Sequence, residues 1–321
     1  MKTALLSIDN PDDLARAGEL LQSGELVAVP TETVYGLAAD ASNPAAVAKI
    51  FSAKNRPQDH PLITHIHSVE ALSKWAKEIP DYVAKLIEVF WPGPLTLILS
   101  KQDHVSDVIT GGKSTIGLRM PNQPALLNLL SEHNLAIAAP SANPYQQLSP
   151  TTAEQVMAGL GGRIAAVLDG GQCQVGSEST ILAVFNDRAQ ILRAGAITMA
   201  QLAPFIPVPL SQPAMHGEVV SGNKEIHYQP HTPVKLKSTD AILASISERD
   251  EIGLLSHTAA LAAIDCRHHV ALSDDVTEYR HDMYQSLYQL DQKSVTEIWV
   301  EIPPDTDDWL DINDRLSKAS A

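Results

Sequence analysis

Residues 25–37 read ELVAVPTETVYGL: a short apolar run that breaks at Pro30 into a polar cluster closing on Gly36. An apolar run of this length, bounded by Pro and Gly, predicts a buried strand over 25–29 followed by a turn. Ligands bind at strand ends in α/β sheets. Thr31, Glu32, Thr33 and Tyr35 are therefore either ligand-facing groups or a plain polar turn.

The same alternation continues on both sides. Pro11-Asp12-Asp13 opens an amphipathic stretch that ends at Gly24, and Asn43-Pro44 is an N-cap with Pro at the first helical position of a helix running to Phe51. Strands are expected over 61–66, 95–99, 116–118, 135–139, 164–168, 179–184 and 190–192, and helices over 80–90 (with a cap) and 124–133. Thr151 with Glu154 makes a capping-box pattern before 156–160. This is an α/β domain over 1–205 with a twisted, mixed, open sheet. Pro204, Pro207, Pro209 and Pro213, then Gly217, Ser221, Gly222 and Asn223, mark an extended linker over 206–233. A second, small α/β domain is expected over 234–321, with helices over 240–247, 276–290 and 309–318 and strands over 252–256, 269–272 and 297–302.

Composition bounds the function. The chain has 321 residues, 44% of them hydrophobic, and a formal net charge of −15. Two domains with full cores fit that length. The acidic balance and the lack of a Lys/Arg run disfavour direct tRNA binding. No apolar stretch reaches membrane-spanning length, and residues 1–10 do not read as a signal peptide. A soluble, cytoplasmic protein is expected, with no membrane partner. Cys173 and Cys266 form no CxxC pair and read as reduced thiols.

Several strand ends carry groups suited to an anion. Lys54 and Arg56, with Pro57 fixing the backbone, form either a grip for a triphosphate or a solvated helix C-terminus. GGKST at 111–115 imitates the end of a phosphate-binding loop. However, Asp107 stands where the pattern needs Gly, and the segment leads into a strand. Arg119 ends that strand, as a carboxylate fork or a surface ion-pair partner. Ser141 and Asn143 follow a buried strand, and Ser177, Ser179 and Thr180 precede another. Arg193 is a further cation at a strand end. No G-x-S-x-G elbow and no G-x-G-x-x-G fingerprint occur. His65 and His67 share a strand face without an acidic or Cys partner at motif spacing, so no protein-built metal site is expected. These residues alone reach only an anionic ligand, such as a nucleotide, in an α/β cleft.

Taken together, seven segments resemble the YrdC/YwlC family of threonylcarbamoyl-AMP synthases: PTETVYGL at 30–37, KNRP with PL at 54–62, STIGLRMP at 114–121, APSAN at 139–143, SPTTAEQV at 149–156, SESTI at 177–181 and LRAGAI at 192–197. They stand in family order at family spacing. His227-Tyr228-Gln229-Pro230 resembles the linker motif of the family's long, two-domain form, whose second domain is Rossmann-like. The resemblance implies a nucleotidyltransferase that makes threonylcarbamoyl-AMP and pyrophosphate from L-threonine, bicarbonate and ATP, for modification of tRNA adenosine. Mg²⁺ is held mainly through the phosphates, and a tRNA threonylcarbamoyl transferase complex takes the product. It assigns Lys54 and Arg56 to the ATP phosphates as the catalytic cations, and His60, Thr115, Ser141, Ser149, Arg193 and Tyr228 to the nucleotide. Thr33, His65, Arg119, Ala139 and Ser179 line the threonine pocket, with Arg119 on the carboxylate.

The chain departs from the family pattern at His60 (usually Asn), at Pro144-Tyr145 (often Ser-Gly) and in the linker, at Ser221-Gly222-Asn223 and Ile226. Two other functions stay open at this point. One is a non-catalytic RNA-binding module, which the charge disfavours. The other is a carbamoyl-transfer accessory domain, which lacks its usual zinc-finger and acylphosphatase neighbours here.

Overall fold

The computed structural model describes residues 2–213, 228–246 and 251–321. They form two compact units. The first takes the chain as far as Tyr145, then Pro150–Cys173, then Glu178 onward to residue 213; the second takes Gln146–Ser149, Gln174–Ser177 and the described residues from Tyr228 on. Half of the 206–233 stretch read as a linker, residues 214–227 with His227 included, lies outside the described residues. Leu210–Ser211 pairs in parallel with the 189–193 strand.

The first unit is built on one mixed sheet. Its strands lie in the spatial order Ala4–Ser7, Ala166–Asp169, Val27–Val29, Gly36–Asp40, Ile137–Ala138, Ile63–His65, Thr115–Arg119, Leu95–Lys101, Thr180–Val184, Ala189–Arg193 and Leu210–Ser211. Strand side chains alternate between faces, and here each face feeds its own core. Val27 and Val29 join Ala17, Leu21, Leu126 and Leu130 of helices Pro11–Gln22 and Pro124–Glu132. Ala28 joins the larger core with Val47, Ile50, Leu86 and Val156 of helices Pro44–Lys54, Val83–Phe90 and Ala153–Leu160.

The local signals read from sequence mostly act as expected. The Asn43 side chain accepts from Ala45 N and Ala46 N, and Pro44 opens its helix. Two expectations are corrected. The capping box is formed by Thr152 and Gln155, not Thr151 and Glu154; Gln155 Oε1 reaches back to the N–H groups of both Thr151 and Thr152, which fixes the frame one residue later. The helix expected over 80–90 starts at Val83 without a side-chain cap, because Pro80 is spent on a turn whose carbonyl takes Val83 N. Five strands lie outside the expected ones: Ala4–Ser7, Gly36–Asp40, Ala76–Lys77, Leu210–Ser211 and Val234–Lys237.

The second unit holds a four-stranded sheet in the order Val234–Lys237, Glu297–Glu301, Ile252–Ser256, His268–Ala271, parallel throughout. Helices Thr239–Ser245, Val276–Asp291 and Leu310–Ala319 accompany it. Trp299, Leu254 and Ile242 centre one of its cores. No helix among the described residues is long and apolar enough to cross a membrane.

Candidate active site

Sheet register brings the first group of site residues together. His65 is the direct partner of Arg119 in the parallel pair of strands 63–65 and 115–119. Leu118 pairs with Leu97, so Arg119 lies beside Thr96 on the next rung. Leu97 and Leu118 both enter the larger core. Alternation therefore turns His65, Arg119 and Thr96 to the opposite face. Thr96 Oγ1 and Ser179 Oγ share a 2.8 Å hydrogen bond, and the Arg193 guanidinium clamps Ser179, with Nη2 to Oγ at 3.1 Å and Nε and Nη2 to the carbonyl oxygen at 3.1 and 2.9 Å.

Arg119 is almost fully buried. Its Nε donates to Gly93 O at 3.2 Å and its Nη2 to Thr33 Oγ1 at 2.9 Å. Nη2 also lies 2.8 Å from Glu32 Oε2, an ion pair without hydrogen-bond alignment. Thr33 is set by a local hydroxyl turn in which Thr31 Oγ1 takes Thr33 N and Val34 N and donates to Val34 O. Ala139, backed by its N–H bond to Ile63 O, sits on the next strand over.

His65 is 3% exposed, and neither ring nitrogen has a hydrogen-bond partner. Burial, and then the neighbouring Arg119 charge, hold its pKa well below the usual histidine range. It is a neutral imidazole with a donor and an acceptor to offer. Glu32 likewise keeps Oε1 buried without a donor. Buried polar atoms of native proteins are normally paired, so this cluster has the character of a pocket lining awaiting a polar ligand.

A second group surrounds Lys54, the last residue of its helix. Asn55 caps that helix in the left-handed conformation (φ 56°) and turns the chain so that Arg56 N returns to Phe51 O. Lys54 Nζ points at the carbonyl oxygens of Ser141 and Asn143, and Tyr145 N returns to Lys54 O, tying KNRP to APSAN. Burial, with the charge of Arg56, lowers the Lys54 pKa well below its usual value. Arg56 Nη2 donates to Pro61 O at 3.3 Å, and its guanidinium lies 6.0 Å from the centre of the Tyr145 ring. His60 meets the same ring edge-on at 5.7 Å. The two first-unit departures from the family pattern thus pack against each other. Leu62 N bonds Ile109 O, and Gly111, at φ +60°, leaves no room for a Cβ against Asp59 O. These contacts set the loop before Thr115 beside this second group.

Some expected groupings differ in the structure. Arg193, assigned to the nucleotide, stands with Ser179 of the threonine group. Ser149 and Tyr228 belong to the second unit. There Tyr228, at φ 62°, is buried with its ring 5.8 Å from that of Tyr284 and 5.3 Å from the Arg315 guanidinium. Thr96 and Gly93 were not foreseen; the only signal for Thr96 is a threonine in an otherwise apolar strand. A cavity of about 370 Å³, lined in part by Asp40, His67, Trp75 and His104, contains none of the site residues. Among the described residues no three His, Cys, Asp or Glu side chains stand close enough to hold a metal ion.

Fold and site define an α/β protein whose sheet gathers cations, hydroxyls and a neutral imidazole from distant stretches of chain into buried polar clusters. Comparison with known proteins narrows this. A protein-family model described as "Telomere recombination" (Sua5_yciO_yrdC) matches residues 19–195, and one described as "Threonylcarbamoyl-AMP synthase, C-terminal domain" matches 197–321. The threonylcarbamoyl-AMP synthase of Bacillus subtilis (strain 168) is 38% identical over 340 residues, covering 100% of this chain and 98% of the relative. That of Pyrococcus abyssi is 36% identical over 319 residues, covering 95% and 93%. The crystal structure of P. abyssi Sua5 complexed with L-threonine superposes with a TM-score of 0.89 at 32% identity, over 100% of this chain and 98% of that one. The chain belongs to the threonylcarbamoyl-AMP synthase family, with both the Sua5/YciO/YrdC region and the family's C-terminal domain.

Proposed function

We propose that this protein is an L-threonylcarbamoyladenylate synthase that joins L-threonine, bicarbonate and ATP into threonylcarbamoyl-AMP and releases pyrophosphate. The observation that carries this reading is the buried pair His65–Arg119: a neutral imidazole with both nitrogens unpartnered, in register with a guanidinium. A threonine carboxylate on Arg119, with its hydroxyl or amine on His65, Thr33 and Ser179, completes those groups.

The chemistry asks for placement rather than a covalent nucleophile. The threonine amine adds to bicarbonate carbon and water leaves, giving a carbamate. A carbamate oxygen then attacks the α-phosphorus, the bond to the β-phosphate oxygen breaks, and pyrophosphate departs. Holding three reactants in one pocket supplies much of the rate. Lys54 and Arg56 hold the phosphates and stabilise the charge that moves onto the leaving group, while His60, Thr115 and Ser141 line the nucleotide. Mg²⁺ bound to the phosphate oxygens adds further neutralisation, in keeping with its preference for phosphates over an all-protein cage. The product then passes, in the cytoplasm, to a tRNA threonylcarbamoyl transferase.

The test is pyrophosphate release from the purified full chain with Mg·ATP. Release that requires both threonine and bicarbonate is expected. Folded protein that releases no threonine-dependent pyrophosphate overturns the reading.

A further inference from the structure

The second unit is not made only of C-terminal residues. It takes in Gln146–Ser149 and Gln174–Ser177, two loops from the middle of the chain. Each loop ends at or beside a site residue. Ser149 closes the first, and the next residue, Pro150, accepts Tyr35 N within the first unit, two residues from Thr33. Ser177 closes the second, two residues before Ser179. The first loop is held by Gln229, whose N–H bonds Gln146 O at 2.9 Å and whose Nε2 bonds Ala321 O at 2.7 Å.

The second loop is held more firmly. Ser177 Oγ donates to Asp311 Oδ2 at 3.1 Å. Arg280 grips both oxygens of the same carboxylate, Nε to Oδ2 at 2.8 Å and Nη2 to Oδ1 at 3.0 Å, and donates to Asp308 O at 2.9 Å. All three side chains are buried, Ser177 completely. A bidentate Arg–carboxylate pair has one geometry, so it presents Asp311 Oδ2 to Ser177 at a fixed place. Gly176 adds an independent constraint: it stands at φ +79°, and a Cβ there would lie 2.4 Å from His281 O and 2.6 Å from Arg280 O. The loop thus lies directly on the backbone of helix Val276–Asp291, where no side chain fits.

We infer that Ser177, Asp311 and Arg280 form a positioning latch through which the C-terminal unit sets Ser179. The inference rests on the proposed function for its catalytic readout. Ser177 Oγ touches no reactant; it fixes the backbone two residues upstream of a hydroxyl that Thr96 and Arg193 hold from the other side. Releasing that anchor lets Ser179 wander from the pocket without dismantling either core. The latch gives the C-terminal unit a task in substrate binding.

The experiment compares Ser177→Ala with Glu301→Gln in the full chain. Glu301 lies in the same unit outside the latch, so it controls for general loosening. Threonine KM, kcat, thermal midpoint and native-state amide exchange over 178–181 are measured. Losing a hydrogen bond to a charged group predicts a threonine KM about tenfold higher in Ser177→Ala, with kcat less affected, a near-normal midpoint and faster exchange at 178–181. Glu301→Gln is expected to lower the midpoint and leave threonine KM alone. An unchanged KM in Ser177→Ala, or an equal rise in both variants, overturns the latch. If the wild-type chain shows no threonine-dependent turnover, the proposed function fails instead; the exchange data then decide the latch, and unchanged exchange overturns it.

Discussion

The two sheets put polar groups in the same kind of place and finish them differently. In the first unit, strand ends carry His65, Arg119 and the Glu32–Thr33 turn, and the imidazole nitrogens and Glu32 Oε1 are left without protein partners. In the second, the carboxyl ends of the parallel strands converge on Glu301, and nearly everything there is paired. Oε1 accepts from Thr239 Oγ1 at 2.6 Å and Thr258 Oγ1 at 2.7 Å; Oε2 accepts from His257 N at 2.8 Å and Thr258 N at 3.0 Å, with His257 Nδ1 at 3.2 Å. Among the described residues there, two buried polar atoms make no hydrogen bond: His257 Nδ1, which faces Glu301 Oε2 without hydrogen-bond alignment, and the Tyr279 hydroxyl beside the His257 and Trp309 rings. Strand ends in α/β sheets are where ligands go, but position alone does not make a site. What separates the two is whether the protein satisfies its own buried groups, since an unmet one costs about 1–3 kcal/mol.

The sharpest way to break the comparison is at Arg119. Arg119→Lys keeps a charge beside Glu32 and removes the fork, so threonine kcat/KM is expected to fall about 100-fold with the fold retained. Steady-state pyrophosphate release against threonine concentration measures it, and an unchanged threonine dependence removes Arg119 from that pocket. Arg56→Ala divides the site further. It should raise the ATP requirement about 30-fold, as for a lost charge-assisted contact, with a much smaller change in threonine KM. Equal effects on both substrates would merge the two groups into one. The mirror experiment is Glu301→Gln. An amide there can keep its oxygen on the N–H groups of His257 and Thr258 only by turning its NH2 to the Thr239 and Thr258 hydroxyls, and with the loss of the charge this should cost about 2 kcal/mol of unfolding free energy. Urea unfolding reads this, and catalytic constants are expected to hold.

Much of this contrast was readable in the sequence, for identifiable reasons. PTETVYGL, KNRP and APSAN are local strings with fixed spacing, and Asn43-Pro44 is a cap whose chemistry needs no distant partner. Strands such as Ala4–Ser7 and Val234–Lys237 escaped because four residues of mixed polarity have no period until a neighbour pairs with them. Thr96 escaped for the same reason: its role comes from register with Arg119 and a bond to Ser179, 83 residues away in the chain. His60 and Tyr145 were visible as separate departures, but only the fold shows that the two rings meet.

Acidification separates the two regions without touching substrate. His65 has its folded pKa lowered, by burial first and Arg119 second, from an ordinary value of 6.5. Below that value the unfolded chain takes up a proton that the folded chain refuses. Stability is therefore full above the unfolded pKa and falls as pH drops through it, by up to about 1.4 kcal/mol per pH unit for one group. Glu301 also has its pKa lowered, from 4.5: burial pushes the carboxyl up, but the hydrogen bonds from His257, Thr239 and Thr258 outweigh it. Its contribution is present above the unfolded value and is lost as pH falls through the folded one, so its loss sets in at a lower pH than the histidine's. His65→Asn should therefore flatten the loss of stability that begins as pH falls below about 6.5. Glu301→Gln should lower stability at neutral pH and flatten only the part of the loss that sets in below about 4.5. Urea midpoints at half-unit pH steps test this. If His65→Asn leaves the slope below 6.5 unchanged, the imidazole is already satisfied in the folded chain, and the contrast between an open and a closed strand end fails at its central residue.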